Sequence, residues 1–334
     1  MRTTVNRRQV LAMAGAAAAA KWLGTGTPVR AQGITSLQVG MSFNNLDAVC
    51  AWIAQDRGYF RRFGLDVTII SIQGGSRTMA AMAGGDVPLA FSAGSDVITA
   101  GSRGVPVTLI AGLIDKFPYD FVVAKSITGA AQLKGSKGAI SGFGGSSHFA
   151  AVYGLQKLGV DPQDVTLLQV GNETARLAAL QSGQIQFTVL TAGLDLEAFD
   201  MGYKPMLKLY TSDQPYQHTG LAANTAWAKA HPSIVDAFMK GIVMGSVYVK
   251  DPITAAAAQA LIHRHLPIKD DNLRKGLALY RENLYQTYPL VTVPGMEFIL
   301  RQKKIDKPAA QFYDNSYVQA LQSANFADTV KKSL

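Results

Sequence analysis

Short apolar runs and amphipathic stretches alternate along the first two thirds of the chain. Runs such as "DVTII" from Asp66 and "DVTLL" from Asp164 are β-branched or aliphatic and a few residues long. The stretches after them place apolar residues three and four apart. The first pattern predicts strands and the second helices. Each half of this region reads strand, polar loop, helix, strand, polar loop, helix, strand. Alternation of this kind implies parallel sheets covered on both faces. After Asn224 the pattern becomes helical only: Pro232 suits a first helical turn, and Ile234, Val235, Phe238, Met239 and Ile242 form an apolar stripe. This tail is expected to pack back on the first half.

The two halves correspond residue by residue. "DVTIISIQGGSRTMAAMAGGDVPLAF" from Asp66 aligns without a gap on "DVTLLQVGNETARLAALQSGQIQFTV" from Asp164, a constant offset of 98. Ser76 faces Thr174, Met79 faces Leu177 and Gly85 faces Gly183; after a one-residue slip, "SAGSD" (Ser92 to Asp96) faces "TAGLD" (Thr191 to Asp195). The repeat predicts two similar α/β lobes. In open α/β sheets ligands bind beyond the carboxyl ends of the strands, where helix N-termini converge. Two such sheets face to face make a cleft lined by the loops Asn44–Asp47, Gln73–Ser76, Gly144–His148 and Asn172–Thr174, with turns around Ser92 and Thr191.

Charge at first suggests a basic protein. The formal net charge is +9 on 334 residues. The leading segment holds Arg2, Arg7, Arg8, Lys21 and Arg30 and no acid, and setting these five aside leaves +4. Arg7-Arg8 precede the apolar run Val10 to Ala20, and Val29-Arg30-Ala31 has small residues where a signal peptidase reads. Residues 1–31 are therefore read as a signal peptide, "NRRQVL" resembling the twin-arginine type. The rest carries no Lys/Arg block, so nucleic acid is not expected as a partner, and no apolar run long enough to insert in a membrane. The single Cys50 excludes an internal disulfide and a cysteine-based zinc site. His263 and His265, two apart on a predicted helix, face different ways and make no metal pair.

The stretches "LDAVCAWIAQDRGYFRRFGLDVTII", "GGSRTMAAMAGGDVPLAFSAGSDVITA", "ARLAALQSGQIQ" and "HPSIVDAFMKG" resemble the extracytoplasmic solute-binding proteins of ABC importers, most closely those for nitrate, sulfonates, taurine and thiamine-pyrimidine precursors. The resemblance implies a type II periplasmic binding-protein fold, with two α/β lobes around a cleft and a C-terminal helical segment on lobe one. Lobe one is then 32–122 plus 220–334 and lobe two 123–219, with crossings near Tyr119-Asp120-Phe121 and His218 to Leu221. It implies a periplasmic monomer without cofactor, metal or catalysis, which closes on a small polar or anionic organic solute (a sulfonate, carboxylate or N-heterocycle) and passes it to a membrane permease. The alternative is a hydroxymethylpyrimidine-synthase-like enzyme on the same fold; that type carries a cysteine-rich run, which Cys50 alone does not provide.

The candidate ligand contacts come from the cleft loops: Asn44, Asn45 and Asp47; Gly75 and Ser76; Ser92 and Ser95; Gly145, Ser146, Ser147 and His148; Glu173; and Thr191. "GFGGSS" misses the dinucleotide fingerprint at its last position and reads better as an anion nest at a helix start. Ser147 and His148 are adjacent on one turn and point apart, which argues against a Ser–His catalytic pair. Glu173 at a helix start compensates the dipole, or accepts from N–H groups of a ligand. Arg77 and Arg176 are candidates for pairing with an acid group, and Phe43 and Phe143 for stacking on a planar one.

Overall fold

The computed structural model describes residues 33–333 apart from Gln73. The signal-peptide reading therefore lies outside the described residues. From Thr35 the chain forms two five-stranded sheets with the same strand plan.

In the first sheet, β1 (Thr35–Met41) pairs in parallel with β2 (Leu65–Ser71) and β3 (Leu89–Ala93), and β10 (Thr219–Asn224) lies antiparallel between β3 and β4 (Val107–Ile114). In the second, β6 (Lys137–Ile140) pairs in parallel with β7 (Thr166–Gln169) and β8 (Phe187–Thr191), and β5 (Tyr119–Val123) lies antiparallel between β8 and β9 (Lys204–Lys208). Strand orders 2-1-3-10-4 and 7-6-8-5-9 are the same order seen twice, as the repeat in the sequence predicts. The helices of the repeat also match: α2 (Gly75–Gly84) and α3 (Gly94–Ser102) correspond to α5 (Glu173–Gln181) and α6 (Leu194–Asp200).

The chain passes between sheets twice, after β4 and before β10. Tyr119–Val123 is a strand of the second sheet, so residues 119–122, assigned by sequence to lobe one, sit with lobe two. Pro118 precedes this strand; the fully buried run Tyr119–Val123 carries no turn residue that could mark a crossing.

Beyond Asn224 the described chain is helical: α7 (Thr225–Ala230), α8 (Pro232–Lys250), α9 (Ala255–His263), α10 (Asp270–Asn283), α11 (Val293–Gln302), α12 (Ser316–Ser323) and α13 (Phe326–Lys331). Helix α8 buries its stripe against α1 (Val49–Asp56), with Phe238 stacked on Phe60 at 4.7 Å. A Cβ on Gly245 would collide with the Cys50 carbonyl, so glycine lets the two backbones approach. Phe43, partly buried, packs against this core. No helix among the described residues is long and apolar enough to cross a membrane.

Candidate functional site

The carboxyl ends of the parallel strands of both sheets carry polar groups that meet at the second crossing. His218, the residue before β10, is buried. Its Nε2 lies 2.9 Å from Asp47 Oδ2 and its Nδ1 lies 2.5 Å from Ser146 Oγ. Asp47 belongs to the loop after β1. Ser146 opens α4 (Ser146–Lys157) in the equivalent place after β6. One imidazole thus bridges the two halves. Asp47 is held from a third side: Tyr280 of α10 donates its hydroxyl to Oδ1 at 2.8 Å. Burial, followed by the Asp47 charge, pushes the Tyr280 phenol well up, keeping it a donor.

Beside this bridge, Glu173 Oε2 accepts the Thr191 amide at 3.0 Å and the Thr191 hydroxyl at 2.8 Å. Asn45 caps its own turn by accepting from the Asp47 amide and reaches Thr191 Oγ1 at 3.5 Å. Tyr119 packs edge-on to His218 at 5.2 Å. Its phenol is raised well above the usual range, by burial first and then by Glu173 and Asp47.

On the other side stands Asp96, in the first turn of α3. Ser92 donates to its Oδ2 at 3.2 Å. Burial pushes this carboxyl up; the Ser92 hydrogen bond and the charges of Lys303 and His218 draw it back down. The adjacent Ser95 hydroxyl and the Tyr216 hydroxyl are buried with no hydrogen-bond partner. Lys303, at the end of α11, donates to the Gly144 carbonyl at 2.7 Å and sits over the Phe149 ring; burial lowers its pKa.

Of the thirteen contacts expected from sequence, the structure draws Asn45, Asp47, Ser146, Glu173 and Thr191 into one hydrogen-bonded group around His218 and Tyr119. Ser92 and Ser95 join a second group around Asp96. The others take different places. Asn44 and Ser76 are exposed. Ser147 turns inward: its hydroxyl accepts the Ser141 amide at 2.8 Å and bonds the Ser141 hydroxyl at 2.7 Å. His148 closes the same loop, its Nδ1 accepting the Gly144 amide at 3.2 Å, and burial, then Lys303, lowers its pKa. Gly145 is the N-cap of α4, and Gly75 lies against the Asp96 carboxylate.

Of the two arginines, only Arg176 is taken up by the protein itself. Arg77 is exposed on α2. Arg176 is buried, and its guanidinium donates to the carbonyls of Gly171 (2.7 Å) and Val189 (3.0 Å) and to Thr188 Oγ1 (3.2 Å). Phe143 points outward, 65% exposed, edge-on to His148.

Sequence reasoning missed His218, Asp96, Tyr119, Tyr216, Tyr280 and Lys303. The "SAGSD"/"TAGLD" match pointed at Asp96 and at its counterpart Asp195. Asp195 forms a buried carboxyl pair with Asp120 of β5; one Asp120 oxygen has no hydrogen-bond partner. Tyr280 lies in a segment whose sequence gives no sign of facing a cleft, and His218 opens a crossing that the sequence placed at His218 to Leu221 without giving the residue a site role.

The family model described as NMT1/THI5 like matches residues 45–255. No curated protein matches the sequence. Among solved structures, the ligand-binding component of an ABC-type import system from Staphylococcus aureus, with zinc bound, superposes with a TM-score of 0.72 at 10% identity, over 85% of this chain and 98% of that one. The alkanesulfonate-binding protein SsuA from Xanthomonas axonopodis pv. citri, bound to MOPS, gives 0.67 at 16% identity, over 86% and 98%. The periplasmic nitrate-binding protein NrtA from Synechocystis PCC 6803 gives 0.63 at 14% identity, over 72% and 69%. These likenesses establish the periplasmic binding-protein fold.

Proposed function

The chain belongs to the NMT1/THI5-like family, and from that footing we propose that it is an extracytoplasmic solute receptor, which captures a small polar organic molecule between its lobes and hands it to the permease of an ABC importer. One observation carries the reading. Asp47 from one half and Ser146 from the other are joined through His218, which sits on the chain crossing between them. Groups from both halves then enclose a polar interior, the arrangement a hinge-closing receptor needs. The names of the similar structures, sulfonate- and nitrate-binding among them, support the transport class.

The test is a thermal-shift screen of the chain from residue 32 onward against a solute library, since a ligand raises the melting temperature by mass action. Small-angle scattering with and without a hit should show a smaller radius for the bound form. A hit that leaves the radius unchanged would speak against delivery by closure.

A second reading rests on a different observation. Ser146, His218 and Asp47 stand in the order of nucleophile, base and orienting carboxylate, at 2.5 and 2.9 Å. Cys50 offers no such chemistry, because burial pushes its thiol up to about 12. A serine-directed organophosphonate should label Ser146 if the array is reactive. An unlabelled protein leaves the receptor reading alone.

A further inference from the structure

We infer that the solute carries a positively charged nitrogen group, an ammonium or amidinium, and that Asp96 with Ser95 and Tyr216 receives it. The inference rests on the receptor reading above and goes against the sulfonate and carboxylate members of the solute class expected from sequence.

Two of the helix starts that line the expected cleft already hold the protein's own carboxylates. In lobe one, Asp96 lies against Gly75 at the start of α2, so close that a Cβ on Gly75 would overlap it. In lobe two, Glu173 starts α5 and accepts the amide and hydroxyl of Thr191. At these two helix starts an incoming sulfonate or nitrate would meet these charges before it met a free amide.

The cations nearby have hydrogen-bond partners of their own, although the Lys303 charge also acts on Asp96. Arg176 spends its guanidinium on two backbone carbonyls and Thr188. Lys303 donates to the Gly144 carbonyl. His218 is engaged on both nitrogens. Three carboxylates, those of Asp47, Asp96 and Glu173, thus share the region with Arg176, Lys303 and His218. Asp47 has both oxygens occupied, by Tyr280 and His218. Asp96 differs: among the described residues its one side-chain partner is Ser92, which donates to Oδ2, and it forms no salt bridge.

Two further acceptors lie nearby. The Ser95 and Tyr216 hydroxyls are fully buried with no well-formed hydrogen bond; Ser95 precedes Asp96 in the chain, and Tyr216 lies near the Ser95 and Ser146 hydroxyls and within range of the Asp96 charge. Buried hydroxyls without partners are uncommon and call for a ligand group or water. A carboxylate with two hydroxyls is an acceptor set for an N–H-rich cation. Burial has raised the Asp96 carboxyl, and a cation set against it favours the charged form.

The experiment is calorimetry and thermal shift on the chain from residue 32 with two panels: putrescine, agmatine and benzamidine as cations, and ethanesulfonate, taurine and nitrate as anionic or sulfonate-bearing probes. A member of the cation panel should bind. Asp96→Asn should weaken it by about tenfold to a hundredfold, and Ser95→Ala, which removes one buried hydroxyl, by up to about tenfold. The second variant keeps the test valid if the first fails to fold. Binding of ethanesulfonate or nitrate with unchanged affinity in Asp96→Asn overturns the inference and leaves the receptor reading standing. If no member of the cation panel binds, the inference falls, and the receptor reading is then decided by the library screen.

Discussion

The Asp96 carboxylate occupies the space that any side chain on Gly75 would require. Ser92 bonds the same carboxylate from behind, so it has little room to retreat. Gly75→Ala should therefore cost about 1–3 kcal/mol, the usual penalty of overpacking. The urea midpoint measures this. A midpoint equal to that of the parent would mean that Asp96 swings freely, and would remove it as a fixed ligand group.

His218→Ala should be severely destabilising. It leaves the Asp47 carboxylate buried with one partner lost, a class of change that costs about 3–5 kcal/mol. Asp47→Asn should be milder, because the amide still accepts from Tyr280. Equal melting temperatures for parent and His218→Ala would show that the bridge between the halves contributes nothing to the unliganded fold.

The buried pair Asp120–Asp195 sets a pH dependence. Burial pushes Asp120 up to about 6, against which the hydrogen bond from Asp195 and the charge of Lys208 act. Burial, then Asp120, pushes Asp195 well up. Tyr210, raised to about 12 by burial and these two acids, faces the same pair. The folded protein thus keeps protons that the unfolded chain releases near pH about 4. The pair's contribution is most favourable at low pH and declines as pH rises from about 4 through about 6 and beyond. Asp120→Asn should flatten this slope and gain stability over the parent at pH 8. Chemical denaturation at intervals from pH 4 to 8 tests it; parallel curves for the two proteins would contradict the shared-proton pair.

Export should depend on the paired arginines ahead of the apolar leader. Replacing Arg7 and Arg8 with lysine is expected to abolish periplasmic accumulation, read by fractionation and immunoblot. Undiminished accumulation would assign the chain to the general secretory route.

The architecture was legible in the sequence because it rests on periodicity and on an internal repeat. Asp66 and Asp164 open matching β-α-β units, and the two sheets copy that match strand for strand. The site was legible only in part. Asn45, Asp47, Ser146, Glu173 and Thr191 sit at strand ends, where topology alone places ligand contacts. His218, Tyr280 and Lys303 come from a crossing and from C-terminal helices, and their approach depends on how the tail packs, which no local pattern encodes. Ser147 and Arg176 misled for another reason. Each has a residue type suited to a ligand, yet its hydrogen-bonding capacity is consumed by a neighbouring loop or strand edge.

The strand plan has a consequence for the order in which the protein can fold. Strands β5 through β9 are contiguous in the chain, so the second sheet is complete once Lys208 has been made. The first sheet is not. Its inner antiparallel strand, β10, is the last to be synthesised, and it alone joins β3 to β4. That pairing spans more than a hundred residues, a slow class of contact to form. A nascent chain stalled before Thr219 therefore holds one finished sheet and one sheet in two pieces, with β3 and β4 each presenting an open edge of the kind that recruits foreign strands.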